Sequence, residues 1–334
     1  MVSVIPVAAP TEVAPALPAA PAIVADQLTK VYGSHRAIDG ITFSVGRGEI
    51  FGFLGPNGAG KTTTMRILAG YTPATSGRAE IAGHDVKRHS FRARQKLGYL
   101  PENAPLDLNM TVRGYLTFIA EIKRLPRGAR ERYVRQAIEE CGLTEVTKRL
   151  IANLSKGFRQ RVGLAQATMG DPPVLILDEP TVGLDPRQIA EIRTLIKEMA
   201  GRRTVLLSTH ILPEVSMTCQ KVIVIDRGKI VASGTPEKLV SSVVDSPIFV
   251  TIDGELAATR ELLENIPGVA RVDLEKRLST RRASFKLNGH WDGDPRPAIS
   301  RAIVDCGLGL VEIGMRGFSL EDVFLSVIGS PGSN

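Results

Sequence analysis

Cysteine is scarce in this chain. Its 334 residues contain three, Cys141, Cys219 and Cys306, separated by 78 and 87 positions. That spacing builds neither a zinc site nor a disulfide framework, and it suits a reducing compartment. Long apolar runs are missing too. Nothing approaches the ~20 residues of a membrane-spanning helix, so any membrane role is expected to be peripheral. Positive charge is absent from the first 25 residues, which hold five prolines and neither Lys nor Arg. A signal peptide needs a charged start and an unbroken apolar stretch. Residues 1–22 are instead predicted to be a disordered Ala/Pro-rich extension. The whole chain is 43% hydrophobic and 23% charged, ordinary for a globular protein with a packed core. The length allows roughly two or three domains at ~100–200 residues each.

What is present in excess is basic charge, and it is localised. The formal net charge is +7, which points to anionic partners: nucleotide, nucleic acid or a lipid surface. Residues 245–334 carry 10 bases and 13 acids, residues 23–244 carry 32 and 21, and residues 87–161 alone carry 17 and 7.

From residue 23 onward, short apolar runs alternate with helical patterns. Buried strands are predicted at residues 50–54, 174–177, 204–207 and 222–225, and helices at 60–70 and 187–200. This alternation predicts a parallel sheet covered by helices. Residues 87–170 interrupt it with three consecutive helices, at 112–123, 127–141 and 157–169, and no strong strand between them. A boundary is expected near residues 240–247. Beyond it, strands at 248–252, 270–274, 283–287 and 310–313 and helices at 255–265, 297–305 and 319–328 spell βαββαβα, the order of a small ferredoxin-like domain.

Three local patterns carry chemistry. Residues 55–62 read G-P-N-G-A-G-K-T, the phosphate-loop pattern between a predicted strand and a predicted helix. Its glycines let backbone N–H groups converge on phosphate oxygens, and the helix N-terminus adds a favourable dipole. Gly55, Pro56, Asn57, Gly58, Ala59, Gly60, Lys61, Thr62 and Thr63 are the candidate binding residues. Lys61 suits neutralising β/γ-phosphate, and Thr62 suits Mg²⁺. Second, the apolar strand at 174–177 ends in Asp178-Glu179. Adjacent strand side chains point oppositely, so the two acids are expected to have distinct roles: Asp178 toward metal, Glu179 toward the attacking water. Third, Leu154-Ser155-Lys156-Gly157-Phe158-Arg159-Gln160 precedes a predicted helix. Ser155 is read either as a helix cap or as part of an anion-binding N-terminus.

Taken together, these residues resemble the nucleotide-binding subunits of ATP-binding cassette (ABC) transporters, over about residues 23–240. Tyr32 matches the aromatic that stacks on adenine. Residues 55–62 match Walker A, and Leu177-Asp178-Glu179-Pro180 matches Walker B. Gly183-Leu184-Asp185 matches the D-loop, and Ser208-Thr209-His210 the switch histidine. Two positions depart from the pattern. Glu102 stands where the family has a metal-touching Gln, and Lys156 and Phe158 replace residues of the LSGGQ signature, leaving Ser155 and Gly157. Residues 154–167, residues 98–102 (GYLPE) and the tail 319–324 (SLEDVF) look most like bacterial type 2 export cassettes.

The resemblance implies a P-loop NTPase core of the ABC type with a helical insertion at about 103–170, spanning 23–244, and an accessory domain over 245–330. It implies ATP and Mg²⁺ as ligands, with Glu179, His210 and Lys61 catalytic and Thr62, Asp178 and Glu102 near the metal. It also implies a homodimer, or a pairing with a related cassette, in which Ser155, Lys156 and Gly157 face the opposing ATP, with Asp185 a further nucleotide-binding residue. The partner would be a separate integral membrane permease, reached from the cytoplasmic face, with no nucleic acid expected. Arg159 and Arg161 are expected to serve phosphate. The cluster at 123–135, six bases and one acid, is expected to face solvent, permease loops or headgroups. Two other readings stay open: a soluble ABC-fold ATPase acting on nucleic acid or the ribosome, and a nucleotide-gated binding module. A single motif set and the lack of interleaved aromatics and bases argue against the first; Glu179 and His210 argue against the second. His35, His84, His89 and His290 are read as surface or core residues, and Trp291 as a packing or loop residue.

Overall fold

Residues 20–241, 247–289, 291 and 293–315 are described by the structure, a computed structural model. Along them run β1 (Ile23–Tyr32), β2 (His35–Val45), β3 (Ile50–Leu54), β4 (Ser76–Ile81), β5 (His84–Asp85), β6 (Leu97–Leu100) and β7 (Val174–Asp178). They continue as β8 (Thr204–Thr209), β9 (Lys221–Asp226), β10 (Lys229–Gly234), β11 (Ile248–Asp253), β12 (Val269–Arg277), β13 (Arg282–Gly289) and β14 (Gly309–Met315). The central sheet has the order β10-β9-β3-β8-β7-β6. Its five inner and far strands are parallel, and β10 closes one edge antiparallel to β9.

Both faces of β3, β7, β8 and the middle of β9 are buried, which is why these strands read as continuous apolar runs. Successive residues point to opposite faces. Ile50, Leu54, Leu175, Leu177, Val205, Leu207, Val222 and Val224 join one core. Helices Val112–Ile122, Arg127–Glu140 and Lys156–Thr168 contribute to the same core. The interleaved Phe51, Phe53, Val174, Ile176, Leu206, Ile223 and Ile225 join a second core with helix Lys61–Leu68. Gly52 keeps its face open for helix Leu212–Thr218, because a Cβ there would lie 3.1 Å from both Val215 Cγ1 and Cys219 Sγ.

Two elements differ from expectation. A four-stranded antiparallel sheet, β2-β1-β4-β5, covers the second core where only strand–helix alternation was predicted. Register shifts at 25/28, 28/30 and 30/31 in the β1–β2 pair break the period-2 pattern that would have revealed it. The strand β6 lies inside the stretch expected to interrupt the strand–helix alternation and pairs with β7 as the sheet edge. The expected helices themselves form within one or two residues of their predicted ends.

After residue 247, β11–β14 form a separate sheet of order β12-β13-β11-β14, all antiparallel. With helices Leu256–Glu264 and Arg296–Asp305 it shows the βαββαβ order of a ferredoxin-like fold. Trp291 packs, partly buried, against that core. Residues 1–19 of the predicted extension, His290, the helix at 319–328 and the tail pattern at 319–324 lie outside the described residues, as do residues 242–246 of the expected boundary.

Candidate active site

Three of the parallel strands end side by side. Leu54 is paired with Thr209, and Asp178 with Ser208. The loops that follow these strands meet at the carboxyl edge of the sheet, the usual ligand position in open α/β folds. There they line a cleft of about 470 Å³.

The phosphate loop occupies one wall. Asn57, Gly58, Gly60, Lys61, Thr62 and Thr63 face the cleft. Gly58 and Gly60 have φ of 82° and 107°, a region open to glycine and costly for other residues. At Gly60 a Cβ would also sit 2.6 Å from the Ala37 carbonyl. The Lys61 ammonium is curled back, donating to the carbonyls of Gly55 at 2.8 Å and Pro56 at 3.2 Å. It also pairs with Glu179 Oε1 at 3.3 Å. Ala59 is buried beneath the loop, its N–H on the Pro56 carbonyl.

The acidic pair forms the floor. Glu179 has φ of 50°, an uncommon conformation for a non-glycine residue. It is held by its N–H, which donates to both the carbonyl and the hydroxyl of Ser208 at 3.1 Å. Its second oxygen, Oε2, lies 2.9 Å from His210 Nδ1. Glu179 is therefore gripped between Lys61 and His210. Asp178 is 1% exposed. Its Oδ1 accepts from Ser208 Oγ at 2.5 Å and from Thr62 Oγ1 at 3.3 Å. Its Oδ2 is buried with no partner. Burial pushes the carboxyl above its ordinary range, and the charges of Glu179 and Glu102 add to this against the two hydroxyl hydrogen bonds.

That orphaned oxygen tests the fit of a metal. An anionic oxygen without a donor, beside a threonine hydroxyl and with Glu102 on the same cleft, suits a divalent cation. Among the described residues no group of three or more His, Cys, Asp or Glu could hold a metal. Mg²⁺ needs no such cage, since it is commonly held by one or two protein oxygens, waters and substrate phosphates.

Tyr32, 46% exposed, lies at the open end of the cleft with the Lys30 ammonium 4.8 Å from its ring centre. His35, read from sequence as an ordinary surface residue, lines the same end. It is the register partner of Tyr32 across the β1–β2 turn, a neighbour relation visible only once that hairpin is recognised.

Four predicted residues lie away from both the phosphate loop and the acidic pair. Ser155 Oγ caps helix Lys156–Thr168 by accepting from the Phe158 N–H at 3.3 Å. Asp185 caps helix Pro186–Glu198 through the Gln188 N–H at 2.9 Å. Gly157 packs against the Gln188 side chain, and the Lys156 ammonium lies over Gly183 where a Cβ would collide. Within one chain the structure does not bring these residues to the phosphate loop.

The expectation for the neighbouring arginines is corrected. Arg159 donates to the carbonyls of Leu154 and Ala152, and Arg161 pairs with Glu191 and reaches the Gly142 carbonyl. Arg159 is thus engaged within the helical insertion, and Arg161 ties the insertion to helix Pro186–Glu198. The cluster at 123–135 is partly internal too. Lys123 donates to the carbonyls of Gln166 and Met169 at the end of the helix, where a cation is favoured. Arg130 bonds the Leu125 carbonyl and Glu121.

The sequence profile described as ABC transporter matches residues 38–182. Daunorubicin resistance ATP-binding protein DrrA3 of Streptomyces coeruleorubidus is 34% identical over 313 residues, spanning 92% of this chain and 96% of its own length. The chain belongs to the ABC transporter family of ATP-binding proteins. Nod factor export ATP-binding protein I of Ralstonia nicotianae is likewise 34% identical, over 94% of this chain and 96% of its own. Among solved structures, cbiO1 from Clostridium perfringens, part of the ABC transporter complex cbiONQ, superposes with a TM-score of 0.61 at 28% identity, covering 66% of this chain and 91% of that one. The protein is thus a transporter ATPase subunit that binds and hydrolyses ATP. Cassettes of this family work in complexes with membrane subunits. No helix among the described residues is long and apolar enough to cross a membrane.

Proposed function

We propose that this cassette powers export through a separate membrane permease, and that its cleft is one half of an ATP site completed by a second copy or a related cassette. The observation that carries the reading is the grip on Glu179: one carboxylate oxygen 3.3 Å from Lys61 Nζ, the other 2.9 Å from His210 Nδ1. A buried carboxylate held in this way is suited to take the proton of an attacking water. When γ-phosphate enters, it competes with Glu179 for the Lys61 ammonium, which neutralises the β/γ oxygens and releases the carboxylate to act as base. His210 orients γ-phosphate and water from the other side, and Tyr32 stacks on adenine. Thr62, Asp178 and Glu102 would hold Mg²⁺; bound there it would neutralise charge on the phosphate oxygens.

The second copy is supported by what one chain leaves out. Ser155, Lys156, Gly157 and Asp185 lie away from their own cleft, so a two-fold pairing is the arrangement that lets them meet an ATP. Export is supported by the relatives named for daunorubicin resistance and Nod factor export. Attachment at the inner face of the cell membrane, and a division into a cassette over 23–244 and an accessory domain over 245–330, belong to the same reading. Glu179→Gln is expected to keep ATP affinity while losing about 10²–10⁴-fold in turnover, measured by nucleotide binding and phosphate release. Turnover near that of the parent would overturn the assignment of the base.

A further inference from the structure

We propose that Glu214 is a positioning residue for ATP hydrolysis, setting His210 through a hydrogen-bond relay that runs over the Thr209 hydroxyl. Glu214 is buried at the third position of helix Leu212–Thr218. Its Oε2 accepts from Thr209 Oγ1 at 2.9 Å, and Thr209 Oγ1 in turn accepts from the Ile211 N–H at 3.0 Å. In a capping box a glutamate at this helical position takes the N-cap N–H directly. Here the threonine hydroxyl stands between them. Ile211 is the N-cap residue and offers no side-chain acceptor, so the relay supplies what the cap lacks.

The consequence falls on the residue between the two clamped positions. Thr209 is fixed by its pairing with Leu54 and by the bond to Glu214. Ile211 is fixed by its N–H. His210 lies between them, and its ring reaches Glu179. An exposed serine or aspartate at the cap would close this helix without burying a carboxyl. Glu214 instead leaves Oε1 buried and unpartnered, a costly arrangement. What that cost secures is a fixed backbone on both sides of His210. The tight approach of the helix at Gly52 stiffens the same unit.

The inference rests on the reading of His210 as the group that orients γ-phosphate and water. Steady-state ATP hydrolysis by the full chain tests it, with thermal unfolding to confirm folding. Thr209→Val, close in shape but without the hydroxyl, and Glu214→Ala should each lower kcat about 10- to 100-fold, the scale set by small misplacements of a catalytic group. KM for ATP should stay within about twofold, because ground-state binding is not what the relay serves. Glu214→Gln, whose amide oxygen still accepts from Thr209, should stay within about threefold of the parent. The double variant Thr209→Val/Glu214→Ala should be no slower than the slower single, since both cut one relay. Parental kcat in Thr209→Val, a loss confined to KM, additive losses in the double variant, or Glu214→Gln as slow as Glu214→Ala would each overturn the proposal. If Glu214→Ala fails to fold, Thr209→Val and Glu214→Gln still decide. His210→Ala separates the two levels: parental turnover there removes the reading of His210 itself. Lost turnover in His210→Ala, with parental turnover in Thr209→Val, removes the relay alone.

Discussion

Asp178→Asn should raise the stability of the nucleotide-free protein and abolish its response to Mg²⁺. Asp178 is 1% exposed, and its Oδ2 has no partner. Burial, helped by Glu179 and Glu102, raises its folded-state pKa above the ordinary value of 3.8 despite the bonds from Ser208 and Thr62. A raised folded pKa means that the stabilising contribution is complete below the unfolded pKa and is lost as pH rises through the folded one. At pH 7 the ionised group therefore works against folding. Asparagine keeps an oxygen to accept from both hydroxyls and replaces the orphaned anionic oxygen with a neutral amide. A neutral buried group without a partner costs about 1–3 kcal/mol and a charged one more, so the expected gain is about 1–2 kcal/mol. At roughly 2–4 °C per kcal/mol for a domain of 150–250 residues, Tm should rise by about 2–8 °C. The assay is thermal unfolding at pH 7 without nucleotide, with ATP and EDTA, and with ATP and Mg²⁺. The parent should gain about 2.7 kcal/mol once ATP with Mg²⁺ reaches 100 times its Kd. The variant should show the same Tm with ATP whether or not Mg²⁺ is present. A lower Tm without nucleotide, or a preserved Mg²⁺ increment, would refute the reasoning.

The remaining expectations concern the frame and the signature. Arg203 is 2% exposed and bridges Glu140 at 2.9 Å and Asp171 at 2.5 Å. Burial acts to raise the Glu140 pKa, but hydrogen bonds from Gln136 and Arg203 outweigh it and leave it lowered. Arg203→Met should cost about 1–3 kcal/mol at neutral pH, because Glu140 loses one charged partner but keeps Gln136 and Arg202. The deficit should shrink as pH falls from neutral through the depressed Glu140 pKa; a Tm loss that stays constant across the whole acid range in which the parent remains folded would contradict this. Ser155→Ala removes the cap seen here and should cost about 1 kcal/mol. If Ser155 also meets the ATP of a second copy, the variant should lose ATP-dependent dimerisation on light scattering, tested in a Glu179→Gln background. Intact dimerisation would leave Ser155 a cap only.

Legibility in the sequence followed the range of the physics involved. The strands of the parallel sheet and the loops at their ends were readable because both faces are buried and the phosphate loop and Asp178-Glu179 are local patterns. The antiparallel sheet was not, because its bulged β1–β2 pairing scrambles alternation. The strand β6 was hidden by its four-residue length inside a basic stretch. Arg159, Arg161 and Lys123 were misjudged for a different reason. The partners of Arg161 and Lys123 are brought close only by tertiary packing, whereas Arg159 turns back onto carbonyls just ahead of its own helix. Glu214 left one signal, an acid at the third position of a helix that begins Leu-Pro, but its link to Thr209 depends on the tertiary turn after β8.

The central position of β3 has a consequence for how the protein is made. Its sheet neighbours are β8 and β9, so Ile50 waits for Val205, roughly 150 residues later. At roughly 5–20 residues per second, synthesis leaves this apolar strand without its partners for about 8–30 s. The phosphate loop would then leave the ribosome long before a sheet exists to hold it. Nascent chains stalled before about residue 200 should fail to retain ATP and should be held by chaperones; ATP capture by such chains would show that the loop assembles without its sheet. Non-local strand pairing of this kind also slows refolding.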